Sequence, residues 1–69
     1  MNHSEIAKTL RSRRESLNLR QEDLAEMSGV ATKTIHSVEA GSSNPSLETL
    51  LRLADILGLE IVVQVKKIN

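Results

Sequence analysis

The chain contains no cysteine and no phenylalanine, tyrosine or tryptophan, and it has a single proline. Without cysteine, neither a disulfide framework nor a thiolate metal site is available. Without aromatic rings, the stacking platforms that usually grip single-stranded nucleic acid are missing, and aliphatic residues must build the core alone. No apolar run approaches the length of a membrane span or a signal-peptide core, so the expectation is a cytoplasmic protein with no membrane partner. Paired carboxylates in a cleft and a Ser-His-Asp set are both missing from so thin a domain, so neither an enzyme nor a cofactor is expected. His3 and His36 have no ligand partner at helical spacing, which argues against a metal site.

There is also no excess of charge of one sign: nine Lys and Arg face nine Asp and Glu. The charges are nonetheless segregated. Lys8, Arg11, Arg13, Arg14 and Arg20 crowd the first stretch against Glu5 and Glu15, while Glu22, Asp23, Glu26 and Glu39 outnumber Lys33 in the middle. The remainder is balanced, with Arg52, Lys66 and Lys67 against Glu48, Asp55 and Glu60. A neutral total can therefore hide a basic face, and DNA affinity depends on local phosphate neutralisation. The 69 residues allow one domain, with a core small enough to favour help from a partner.

Ile6, Leu10 and Leu17, with Ala7 beside them, recur at helical spacing and predict a first helix over about 4–18. Arg14 falls on the same stripe. There it either snorkels to water or requires a mate, because burying a charge alone is costly. A short second helix is expected from Gln21 to about Ser28, with Leu24 and Ala25 inward, and Gly29 breaks it. A third follows over about 32–40, with Ile35 and Val38 inward and Gly41 as its stop. After the loop Gly41-Ser42-Ser43-Asn44-Pro45, Ser46 is placed to cap a fourth helix over 47–57, whose expected stripe is Leu47, Leu50, Leu51, Ala54 and Leu57.

The tail changes period. Leu59, Ile61, Val63 and Val65 alternate with Glu60, Val62, Gln64 and Lys66, which predicts one strand over about 60–66. A lone strand leaves its backbone groups open. The simplest pairing is with the same segment of a second subunit, antiparallel about a two-fold axis; a strand docked on its own domain and a frayed end are the alternatives. Ile56, roughly opposite the fourth helix's stripe, supports the dimer, so Ile56, Ile61, Val62, Val63 and Val65 are the candidate dimerisation residues.

Two short helices joined by a tight glycine turn, here over about 21–40, form the arrangement that delivers a helix into the major groove. Gln21, Leu24-Ala25, Gly29-Val30, Ile35, Glu39, Gly41 and Pro45 stand at the spacing of the phage-repressor-like (Cro/cI, XRE) helix-turn-helix family, which the chain resembles from about Arg11 to Leu59. The resemblance implies an all-α, four- to five-helix, lambda-repressor-like DNA-binding domain, here with one short C-terminal β-strand pairing across a homodimer. It implies a transcriptional regulator, expected to repress from a palindromic operator in double-stranded DNA. It also offers Glu39 as the mate of Arg14.

By the same resemblance, Gln21 contacts a phosphate and braces the third helix, and Arg20 lies beside it on the phosphates. Thr32, Lys33, His36 and Ser37 face the bases, with Lys33 suited to guanine O6 and N7. Ser42, Ser43 and Asn44 approach the backbone on the far side. Arg11 and Arg13 either touch phosphate or solvate the first helix. One departure stands out: the usual Ser or Thr before the third helix is Ala31, which cannot cap. Either Thr32 takes over as cap or phosphate satisfies the free amides. The tail strand further resembles that of antitoxins that neutralise HipA-type kinases, which implies a second possible role: binding a kinase-like toxin protein while repressing the promoter of its own toxin-antitoxin module.

Overall fold

Four helices carry the fold in a computed structural model that describes residues 2–67: α1 (His3–Ser16), α2 (Gln21–Ser28), α3 (Thr32–Glu39) and α4 (Leu47–Leu57). Each boundary has a local cause. Asn2 caps α1, its side chain accepting the Glu5 N–H at 2.9 Å. The helix stops at Ser16 because Asn18 turns left-handed at φ 57°, and the Leu19 N–H then bonds back to the Arg14 carbonyl at 3.1 Å. Leu17, expected on the core stripe, is left half in water. At the other end of the chain, the Ser46 hydroxyl accepts the Thr49 N–H at 3.1 Å and starts α4 where the sequence places it.

The α2–α3 turn depends on Gly29, the left-handed cap of α2 at φ 74°, whose N–H reaches the Ala25 carbonyl at 3.0 Å. A Cβ there would meet its nearest neighbour, an Arg52 nitrogen, at 3.6 Å, an ordinary contact. It is backbone conformation, and not lack of space, that calls for glycine. Val30 follows it into the core, and α3 then buries Ile35, Val38 and Glu39.

Leu10, Val30 and Val38 join the fully buried Leu24, Ile35, Leu53 and Leu57 in one aliphatic cluster. The fourth helix corrects the expected stripe. Leu53, Ala54 and Leu57 are buried with Leu50 partly so, while Leu47 and Leu51 are exposed at 62% and 49%. Including Leu53 rotates the inward face away from Leu51 and toward Ile56. Ile56 is consequently not opposite the stripe: it is partly buried against the core, so its apolar character is satisfied within the subunit.

Among the described residues there is no β-strand, and residues 59–67 form neither helix nor strand. A single extended segment has no neighbouring backbone with which to build a ladder, so one copy of the chain cannot display the strand expected over 60–66. Leu59, Ile61 and Val62 line a groove of about 360 Å³ with Ile6, Leu10, Leu50 and Ala54 of α1 and α4. Beyond it, Val63 and Val65 are each 96% exposed.

Candidate nucleic-acid interface

The inner face of α3 is held by three buried residues, Ile35, Val38 and Glu39, and the sequence between them sets what faces out. Lys33 and His36 are exposed, while Thr32, Thr34 and Ser37 are partly covered. Ala31 is the N-cap, and no side chain bonds the amides of the first turn. Thr32 lies inside the helix as its first residue, so it does not take over the cap. Lys33 has no ion-pair partner among the described residues. Arg11, Arg14, Arg20 and Arg52, by contrast, each hold a carboxylate: Glu15, Glu39, Asp23 and Glu48. The one cation of α3 is thus free to meet an anion or a base edge.

Behind this surface lies a three-residue brace. The Arg14 guanidinium grips Glu39 in a fork, Nε to Oε2 at 2.7 Å and Nη2 to Oε1 at 2.8 Å, and a third donor, Nη1, reaches the Leu19 carbonyl at 2.7 Å. The side chains are 11% and 4% exposed, so the pair is removed from water and ties the end of α3 to the middle of α1. Gln21, which opens α2, donates Nε2 to Glu39 Oε1 at 3.2 Å. An amide nitrogen carries two hydrogens, and the bond to Glu39 uses one, leaving the other available.

Burial works to raise the Glu39 pKa, but the hydrogen bonds from Arg14 and Gln21 and the Arg14 charge outweigh it and hold the carboxyl below its ordinary value of 4.5. A folded-state value below the unfolded one adds stability that is complete above the unfolded value and disappears as pH falls through the folded one. Urea midpoints are therefore expected to be level from neutral pH down to about 5 and to fall below it. Glu39→Gln should flatten that acid limb, and an unchanged limb would show that the pair does not govern acid sensitivity.

The α3–α4 loop divides its polar groups unevenly. The Ser42 N–H and hydroxyl both donate to the Ser37 carbonyl, at 3.2 and 3.3 Å. The Ser43 hydroxyl is covered and has no partner, beside a cavity of about 110 Å³ lined by His3, Ile6, Val38, Pro45 and Leu50. Asn44 is exposed. Phosphate oxygens only accept, so in this arrangement the Asn44 amide is the exposed loop side chain with free donors, the unpartnered Ser43 hydroxyl being covered. Arg20, the N-cap of α2, is exposed; its N–H bonds Asp23 Oδ2 at 2.8 Å and its guanidinium lies at 3.3 Å from both carboxylate oxygens. That contact keeps the Asp23 carboxyl below its usual range, first through the guanidinium bond and then through the Arg20 N–H.

From sequence, Arg13 is open between phosphate and water. It does a third thing: its Nε donates to the Leu57 carbonyl at 2.8 Å, closing the C-terminus of α4 just before Gly58 and the tail. No spacing rule could reveal this, since the acceptor is a backbone carbonyl 44 residues away.

The sequence matches the profile of the helix-turn-helix family over residues 10–64. It is 41% identical over 58 residues to an HTH-type transcriptional regulatory protein of Methanothermobacter thermautotrophicus, covering 84% of this chain but 19% of that protein. An uncharacterised HTH-type transcriptional regulator of the same organism is 45% identical over 51 residues, 74% of each chain. The chain thus spans about a fifth of the first relative and three quarters of the second. Among solved structures, the restriction-modification controller protein C.AhdI of Aeromonas hydrophila superposes with a TM-score of 0.79 at 36% identity, over 84% of this chain and 88% of that one.

Proposed function

The chain belongs to the helix-turn-helix family of Cro/cI (XRE) type, and from that premise we propose that it represses transcription by binding a palindromic operator in duplex DNA as a homodimer. The observation that carries the proposal is the state of α3: its inner face is locked by Ile35, Val38 and the Glu39 brace, while Lys33, free of any carboxylate among the described residues, and His36 point away from the core. A rigid helix with an unpaired cation outward fits a major groove. Lys33 donates to guanine O6 and N7, with Thr32, His36 and Ser37 beside it. Gln21, Arg20 and Asn44 contact the flanking phosphates, and these contacts set register without reading sequence.

The homodimer rests on the tail. Val63 and Val65 stand almost wholly in water, Ile61 and Val62 are partly exposed along their groove, and the backbone of the segment is unpaired; both the side chains and the backbone are covered if two tails pair. Two reading helices would then enter successive major grooves about 34 Å apart.

Lys33→Ala tests the assignment. It is expected to relax preference at one base pair of the half-site at a cost of about 1–3 kcal/mol. Equal weakening on every sequence, with a shallower salt dependence, would make Lys33 a phosphate contact and remove it from base reading.

The same exposed tail favours a second reading, in which the chain is also an antitoxin that holds a HipA-type kinase and represses its own promoter. Relief of growth arrest on co-expression with a kinase encoded beside it would support this role. Undiminished arrest would remove the role and leave DNA reading intact.

A further inference from the structure

Ser37 lies one helical turn beyond Lys33, and its hydroxyl is already committed: Oγ donates to the Thr34 carbonyl at 3.0 Å. A serine hydroxyl has one proton and two lone pairs, so what Ser37 presents outward is an acceptor. In the major groove, the exocyclic amino groups of adenine and cytosine donate, whereas guanine O6 and thymine O4 accept. We infer that Ser37 is a specificity-determining residue that selects a base carrying an amino group, adenine through N6 or cytosine through N4. The inference rests on the DNA-reading function proposed above and deepens it.

Two features fix the acceptor in place. The Ser37 carbonyl is hooked by both the N–H and the hydroxyl of Ser42, so the loop after α3 clamps the residue's backbone. The partial burial of Ser37 also limits the water that could compete for its lone pairs. Lys33 is purely a donor and Ser37 purely an acceptor, so the two cannot exchange roles on a shifted register. Four residues of helix rise about 6 Å, close to two base-pair steps, which sets the separation of the two selected bases.

The test uses the full chain and a duplex library randomised over the half-site. The wild type should select adenine or cytosine about one or two steps from the base chosen by Lys33. Deleting that exocyclic amino group from the preferred duplex should weaken binding about threefold to tenfold, as for one neutral hydrogen bond. Ser37→Ala, a substitution toward the better helix former, should lose the same factor on the intact duplex and nothing further on the amino-deleted one. Guanine or thymine selected at that position would overturn the inference, as would a Ser37→Ala protein with unaltered base preference. Failure to bind any duplex would be a different result, removing the DNA-reading function itself.

Discussion

Arg14→Met is expected to lower folding stability by about 3–5 kcal/mol, comparable to the whole stability of a domain this small. The reason is what remains behind. Glu39 is 4% exposed at its side chain, and without the guanidinium its two oxygens keep only the Gln21 amide at 3.2 Å. A carboxylate left in that position must be desolvated without compensation or must take up a proton, and either course is costly. The Leu19 carbonyl loses its Arg14 donor at the same time.

The double replacement Arg14→Met with Glu39→Leu should recover much of the loss, because exchanging a whole buried pair for apolar residues is frequently near neutral. DNA binding should not recover in step, since Gln21 then has nothing to brace against. Thermal and urea unfolding followed by circular dichroism provide the readout. A single-variant loss under about 1 kcal/mol would mean that the pair behaves as an exposed one.

The second large effect concerns assembly. Ending the chain after Glu60 removes Ile61, Val62, Val63 and Val65, none of which belongs to the core cluster. The helical domain should stay folded, so the circular dichroism spectrum should keep its helical character. Light scattering should report a monomer, and operator affinity should fall by about a hundredfold or more, because one subunit no longer holds its partner at high effective concentration. Val63→Asp together with Val65→Asp should act in the same direction, putting four like charges at the proposed seam of two tails. A truncated protein that remains a dimer with full operator affinity would move the interface elsewhere, with the exposed Leu47 and Leu51 of α4 as the next surface to probe.

Much of the helical frame was legible in the sequence because its signals are local. The ends of α2 and α4 coincide with the expected ones, since Gly29, Ser46 and Gly58 act within a turn of where they stand. Spacing carries α1 past its real end at Ser16 because Leu17 fits the stripe, whereas the backbone turns left-handed at Asn18. Leu53 does not stand out in the sequence because α4 is leucine-rich on several sides, and hydrophobic spacing alone does not choose which three-to-four spaced set faces inward. Packing on α1 and α2 makes that choice. The candidate surface was legible only as a list of outward positions. Which hydroxyls still hold a free proton depends on carbonyls that the fold brings near, as Ser37, Ser42 and Ser43 illustrate.

The sequence by itself determined four helices, the glycine turn between the second and third, and the inward face of the third, because periodicity and capping are properties of neighbours along the chain. It also marked Arg14 as a charge out of place. Tertiary structure decided the pairings across elements: Arg14 with Glu39 in a two-point fork, Gln21 onto the same carboxylate, Arg13 onto the end of α4. Such contacts depend on the rotation of each helix about its axis and on angstrom distances between residues far apart in sequence, and those quantities exist only once the core has closed.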